Sequence, residues 1–258
     1  MKINLHCHTN YSDGDDIFKM ALEHKKQGFS AFVVTDHVYP LHLDEDVKNG
    51  YSMAVTSYEK FQHQTVELKK ISKELNFPCI QGMELALYGE EVLVFGQKAT
   101  KDIFDYIENL DFNEQKKYGH TMAYKQKVVT KLLQIIKENK DNTAVILCHP
   151  QLNNTPDWVL KPLYPLLDGY EFQNYGSYYF TDETNQNQKR RANRPVPPEL
   201  CGKNRFYNSD AHSIRSVGFC EGNVHSSEIE TLDDLIVYIK TPQEQNIQTL
   251  SRMSNQRG

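Results

Sequence analysis

No stretch of the 258 residues approaches the ~20 consecutive apolar side chains that cross a bilayer. The opening run Met1-Lys-Ile-Asn-Leu-His6 also lacks the apolar segment of a signal peptide. Cysteine is scarce and odd in number. The five (Cys7, Cys79, Cys148, Cys201 and Cys220) show no close pairing or regular spacing, which argues against a disulfide framework. Together these absences lead us to expect reduced thiols in a cytoplasmic protein. Positive charge is also short, with 29 Lys and Arg against 34 Asp and Glu and a net charge of -5. A dedicated nucleic-acid binder needs clustered cations for phosphate, so this balance argues against one. A nuclease stays open, because bound cations would offset local acidity. There is no internal repeat, low-complexity segment or Pro/Gly-rich linker. We therefore expect one domain over 1–240, followed by a polar, patternless tail over 241–258.

What is present is ordinary globular material, 39% hydrophobic and 24% charged. Short apolar runs predict strands over 3–7, 31–35, 79–87, 92–95, 144–148, 170–173 and 205–208. Amphipathic spacing predicts helices over 15–27, 57–75, 128–140 and 232–240, the second with Phe61, Leu68, Ile71 and Leu75 on one face. Residues 38–56 and 111–125 read as long loops. The β-then-α alternation points to an α/β protein with a parallel sheet or barrel covered by helices.

The informative feature is where histidines and acids fall among the 10 histidines and 34 acids. The strands end in His6-Cys7-His8, Thr35-Asp36-His37, Gly82-Met83-Glu84, Cys148-His149-Pro150 and Ser209-Asp210-Ala211-His212. Barrel enzymes gather catalytic groups at the C-terminal ends of strands, so residues distant in sequence would converge there. Period-2 geometry puts His6 and His8 on one side of their strand, with Cys7 turned toward the helices; Asp210 and His212 pair likewise across Ala211. A lone strand-end histidine is ordinarily a hydrogen-bonded structural residue, and Asp13-Gly14 alone would be a turn. Five strand ends carrying ligand types together point instead to a metal cluster. Mixed imidazole and carboxylate donors suit Zn, Mn or Fe better than Ca, and the lack of a thiolate gives no sign of a purely structural zinc site.

These residues carry a family resemblance. The run Leu5 to Gly14, LHCHTNYSDG, resembles the opening motif of the PHP (polymerase and histidinol phosphatase) superfamily. Thr35-Asp36-His37, Glu84, Cys148-His149-Pro150 and Ser209-Asp210-Ala211-His212 resemble its later motifs in order. Gly169 to Asn174, GYEFQN, resembles the segment before the last motif, where the family tends to carry a Glu and an Asn. The resemblance spans residues 3 to about 240. It implies a distorted (β/α)7 TIM-like barrel with two to three divalent ions (Mn, Fe or Zn) at the C-terminal ends of the strands. By this resemblance His6, His8, Glu84 and Asp210 hold a first ion. Glu84 bridges to a second, completed by His149 and His120, and Asp13, His37 and His212 hold a third. His24, His42, His63 and His225 fit no motif position; His24 and His63 lie on predicted helices and are expected at the surface.

The resemblance implies phosphoester hydrolysis. Two ions about 3.5–4 Å apart lower the pKa of a shared water and neutralise the leaving oxygen. We expect in-line attack by a metal-bound hydroxide, with Glu84, Asp210 and His212 at the reacting centre and Asp210 or His212 as a possible proton shuttle. A phosphate could meet Arg215, or Arg190 and Arg194 beside Lys189 and Arg191, although a solvated helix face is the preferred reading of that basic run. Tyr39, Tyr175, Tyr178, Tyr179 and Phe180 could stack on a base or simply pack a loop. The expected substrate is a small phosphorylated metabolite or a nucleotide. The alternatives are a nuclease or phosphodiesterase acting on oligonucleotides, and an inactive metal-binding module.

Overall fold

The computed structural model describes residues 1–40, 54–119, 121–149, 155–174, 197–219, 222–226 and 228–242. Its strands are β1 (Lys2–Ile3), β2 (Phe32–Val34), β3 (His37–Val38), β4 (Cys79–Gln81), β5 (Met83–Leu87), β6 (Glu90–Phe95), β7 (Ala144–Leu147), β8 (Gly169–Asn174), β9 (Asn204–Asn208) and β10 (Asn223–Val224). The α-helices are α1 (Ile17–Lys26), α2 (Tyr58–Leu75), α3 (Gln97–Glu108), α4 (Phe112–Tyr118), α5 (Met122–Glu138), α6 (Asp157–Leu163) and α7 (Leu232–Lys240).

A six-stranded sheet runs in the order β3-β5-β6-β7-β8-β9, with β2-β4 and β1-β10 as separate pairs. The mixed α/β class agrees with the expectation, but among the described residues the ladder does not close into a barrel. The strand carrying His6 and His8 joins its neighbours only through a parallel bridge between Cys7 and Ala211 and through single bonds, such as Thr35 N to the Cys7 carbonyl at 2.9 Å. Nor is the sheet wholly parallel. β6 is antiparallel to both β5 and β7. It follows β5 through a two-residue turn in which Tyr88 (φ 36) and Gly89 (φ 90) both lie in left-handed space. Positive φ at both central residues is what a tight hairpin needs to match the twist of its strands.

Alternation along β6 and β7 separates two cores. Val92 and Val94, with Val145 and Leu147, face Ile103 and Phe104 of α3 and Val128, Leu132 and Ile136 of α5. Leu93 and Phe95, with Ala144 and Ile146, face the opposite way, toward Ile3, Leu5, Phe206 and α7. Helix starts follow the side chains available to cap them: Ser57 accepts from Lys60 N at 3.1 Å, and Thr231 and Asp234 cap each other's backbone at α7.

Three expectations need correction. The segment 111–125 is not a loop: Asp111 caps α4, and Thr121 caps α5. The α3 helix was not expected from the spacing at all. His24 is fully buried, because Ile17, Met20, Ala21 and His24 form the inward stripe of α1. Its Nδ1 lies 2.8 Å from the Met20 carbonyl, and burial pulls its pKa down to about 4. His63 is exposed, as expected. No described helix is long and apolar enough to cross a membrane.

Candidate metal centre

Loop residues 9–14 follow the His8 strand end and fold over it. They are held by Asp36, whose buried carboxylate accepts from Thr9 N (2.6 Å), Thr9 Oγ1 (2.5 Å), Ser12 Oγ and Gln64 Nε2. Gly14 packs directly on the backbone; a Cβ there would come within 2.4 Å of the His8 carbonyl carbon and oxygen. That close approach brings Asp13 back over the histidines. The Asp13 Oδ1 lies 3.3 Å from His212 Nε2, 3.6 Å from His37 Nε2 and 3.9 Å from His8 Nδ1. The His8 ring packs against those of His37 and His212, at centroid distances of 4.2 and 4.1 Å.

On the other side of His8 a second group gathers. His6 Nε2 and His8 Nε2 are 3.0 Å apart, and Asp210 Oδ1 lies 3.3 and 3.1 Å from them. Glu84, 1% exposed, sits at the centre. Its carboxylate lies 3.2 Å from His6 Nε2, 3.4 Å from His8 Nε2, 2.7 Å from His37 Nδ1 and 3.3 Å from His149 Nε2. Yet neither Glu84 oxygen has a hydrogen-bond partner of acceptable geometry. A buried carboxylate is ordinarily saturated with donors, so one ringed by imidazole nitrogens and left without any fits a cation site. His149 and Asp210 are also held in left-handed backbone, at φ 33 and 51. Such conformations cost on the order of 1–3 kcal/mol each and persist where the surroundings fix them.

Of the nine expected ligands, eight converge: His6, His8, Asp13, His37, Glu84, His149, Asp210 and His212. His120 lies outside the described residues, as do Arg190, Arg194 and their basic neighbours, and the aromatics from Tyr175 to Phe180. Arg215 is exposed on the turn Ile214–Phe219. Among the described residues, four groups of donors lie close enough to share an ion: His8, Asp13, His37 and His212; His6, His8 and Asp210; His6, Cys148, His149 and Glu171; and His37, Glu84 and Glu91. Glu91, Cys148 and Glu171 were absent from the expected ligand set. The Gly169–Asn174 motif contains Glu171, but the site of Glu91 carries no motif.

Glu171 is fully satisfied. Its Oε1 meets His6 Nδ1 at 2.8 Å and accepts from Asn208 Nδ2 at 2.8 Å; Oε2 accepts from His149 N at 3.0 Å and Asn174 Nδ2 at 2.9 Å. A carboxylate behind a histidine fixes its tautomer, with the proton at Nδ1 and the Nε2 lone pair turned into the cluster. We expect Glu171→Gln to weaken Mn(II) binding by about 10–100-fold without abolishing it. Titration calorimetry on the chelator-stripped chain measures this; an unchanged affinity would refute the orienting role.

The electrostatics of the metal-free site are those of interlocked opposite charges. Burial pulls the His6 pKa down, but the Asp210, Glu84 and Glu171 carboxylates outweigh it and hold it well above its ordinary value. Burial is likewise outweighed at His37 by Glu84 and Asp13, at His212 by Asp13, and at His149, chiefly by Glu84, which raises it to about 9. His8 is the exception: burial and the His37 charge lower it. Burial would raise Glu84 and Asp210, but the imidazoles keep both well below the usual carboxylate range. Glu91 is pushed up to about 7 by burial and by the Glu84 charge. Burial also raises the Cys148 thiol, so it stays protonated in the absence of a cation.

No family model matches the chain, and no characterised protein matches it by sequence. Solved structures do resemble it. A protein from Bifidobacterium adolescentis, inferred to be a metal-dependent phosphoesterase, is 16% identical with a TM-score of 0.43, covering 92% of this chain and 95% of its own. A two-domain Bacteroides vulgatus protein, containing an inferred PHP-like metal-dependent phosphoesterase, is 14% identical with a TM-score of 0.46. It covers 84% of this chain, which spans 54% of that protein. PsfC from Pseudomonas syringae is 17% identical with a TM-score of 0.50, covering 90% of this chain and 86% of its own. At these identities the likeness speaks to architecture: PsfC gives the fold a solved counterpart across nearly the whole chain.

Proposed function

We propose that the chain is a metal-dependent phosphoesterase acting on a small phosphorylated metabolite or nucleotide. The observation that carries this reading is Glu84: a buried carboxylate with no hydrogen-bond donor, within 3.4 Å of four imidazoles. Mixed nitrogen and oxygen donors of this kind suit Mn, Fe or Zn. His6, His8, Glu84, His149 and Asp210 would hold ions on one side, and Asp13, His37 and His212 on the other. When bound, the ions would supply Lewis-acid stabilisation of a phosphoryl oxygen and a water of lowered pKa.

The chain's own residues prepare that centre. Glu171 holds the His6 proton at Nδ1. The Asp210 carbonyl, 3.0 Å from His212 Nδ1, holds the proton there and leaves Nε2 facing Asp13. His212 is thereby arranged as a donor atom rather than as a proton shuttle. Asn174 Nδ2 steadies Asp210 Oδ2 at 3.2 Å. A net charge of -5 disfavours an extended phosphate backbone as substrate, which is why a small phosphate ester is the preferred reading.

The test is elemental analysis of protein purified without chelator, alongside hydrolysis of p-nitrophenyl phosphate and bis-p-nitrophenyl phosphate. We expect about two to three divalent ions per chain, faster cleavage of the monoester, and no turnover by a folded Asp210→Asn variant. Well under one ion, not restored by added metal, would defeat the reading. Faster diester cleavage would move the substrate to the phosphodiesterase class.

A further inference from the structure

We propose that Glu91 is a ligand of an ion bound at Glu84 on the His37 edge of the cluster, a donor outside the nine residues that the motif resemblance assigns. The proposal rests on the metal-dependent reading above.

The reason lies in strand direction. β6 is antiparallel between β5 and β7, so its first residues lie at the edge where those strands end. Glu91 sits opposite Ala86, two residues along β5 from Glu84, and its carbonyl accepts from Cys148 N at 2.9 Å. Period 2 puts Glu91 on the same face as Leu93, which pairs with Glu84. A Glu91 carboxylate oxygen lies within 4.8 Å of donor atoms of His37 and Glu84, and 3.8 Å from His149 Nδ1. Among the described residues no hydrogen-bond donor reaches it. Its side chain is 28% exposed, so it borders the opening rather than filling the core.

A second, independent observation is the state of Glu84. Both its oxygens are buried, aimed into this group and without hydrogen-bond partners. Two carboxylates in one pocket, neither bonded to a donor, call for a cation between them. The chemistry of the reaction points the same way. A bare carboxylate at the rim would repel an incoming phosphate ester, whereas one engaged by a divalent ion would not. Glu91 therefore supplies a further donor to an ion at Glu84, on the His37 edge of the cluster.

The test uses the full chain, stripped with chelator and titrated calorimetrically with Mn(II) alone, in wild type, Glu91→Gln and Glu91→Asp. Glu91→Gln is expected to lose about one ion per chain, or to weaken the weakest Mn(II) site at least about tenfold. Its metal-free melting temperature should match wild type, with a smaller rise on Mn(II) addition. Wild-type stoichiometry and affinity in Glu91→Gln would overturn the proposal and leave the metal-dependent reading standing. If wild type itself binds no ion, both fall. If Glu91→Gln melts low without metal, Glu91→Asp decides: a stable fold with weakened Mn(II) binding supports a ligand, and wild-type binding overturns it.

Discussion

Replacing Glu84 with glutamine is expected to abolish retention of divalent ions through gel filtration and, on the proposed function, to lower phosphoesterase turnover by at least about 10³-fold. Among the described residues, Glu84 is the only group within 3.4 Å of His6, His8, His37 and His149 together. Glutamine keeps the volume but removes the charge, and its amide would present N–H groups where a cation must sit. The metal-free variant should also melt lower than wild type. Removing one member of a buried charge network strands its partners, at a cost of about 3–5 kcal/mol. Elemental analysis, a melting curve and a p-nitrophenyl phosphate assay read the three effects separately. A variant that keeps its ions and its turnover would remove Glu84 from the centre of the site.

Divalent-ion binding is expected to strengthen steeply as pH rises from about 6.5 toward about 9. In the metal-free site His6, His37, His149 and His212 are all held above their ordinary values, His149 reaching about 9. A cation must displace those protons, so apparent affinity gains about tenfold per pH unit for each proton expelled. Stability without metal runs the other way. A histidine whose folded value is raised stabilises the fold while protonated. For His149 that contribution is complete below about pH 6.5 and gone once pH has passed about 9. Glu84 and Asp210 are depressed well below their ordinary values, so their contributions are lost only in acid, outside this window. Calorimetry with and without Mn(II) should therefore show opposite slopes: melting falls with pH in chelator and rises in metal. Parallel slopes would mean that the imidazoles are not the groups that cations displace.

Much of the site was legible because its chemistry is local. His6 and His8 share a strand face by period-2 geometry, and Cys7 does turn away, into the core formed with Met20 and Leu68. Thr35-Asp36-His37 also divides as a strand end should: Asp36 reaches back to brace the His8–Gly14 loop while His37 faces the cluster. The α2 and α7 spans follow directly from amphipathic spacing. His24 was misplaced because a histidine on a helix is ordinarily at the surface, whereas here its register continues the buried stripe.

Residue type and strand-end position by themselves determined which side chains form the candidate metal centre, since imidazoles and carboxylates at successive strand ends are brought to one edge of the sheet. Only the tertiary structure decided the direction of β6. A strand's polarity within a sheet depends on which neighbours it pairs with, and an apolar run such as Val92 to Phe95 reads the same in either direction. Running antiparallel, β6 delivers its beginning rather than its end to the edge where the histidines and acids gather, and so brings Glu91 beside Glu84. The carboxylate behind His6 was decided in the same way: Glu171 meets the His6 ring, 165 positions away in the chain, only once β8 lies against β9 and the residue Ala211 beyond β9 bridges to Cys7.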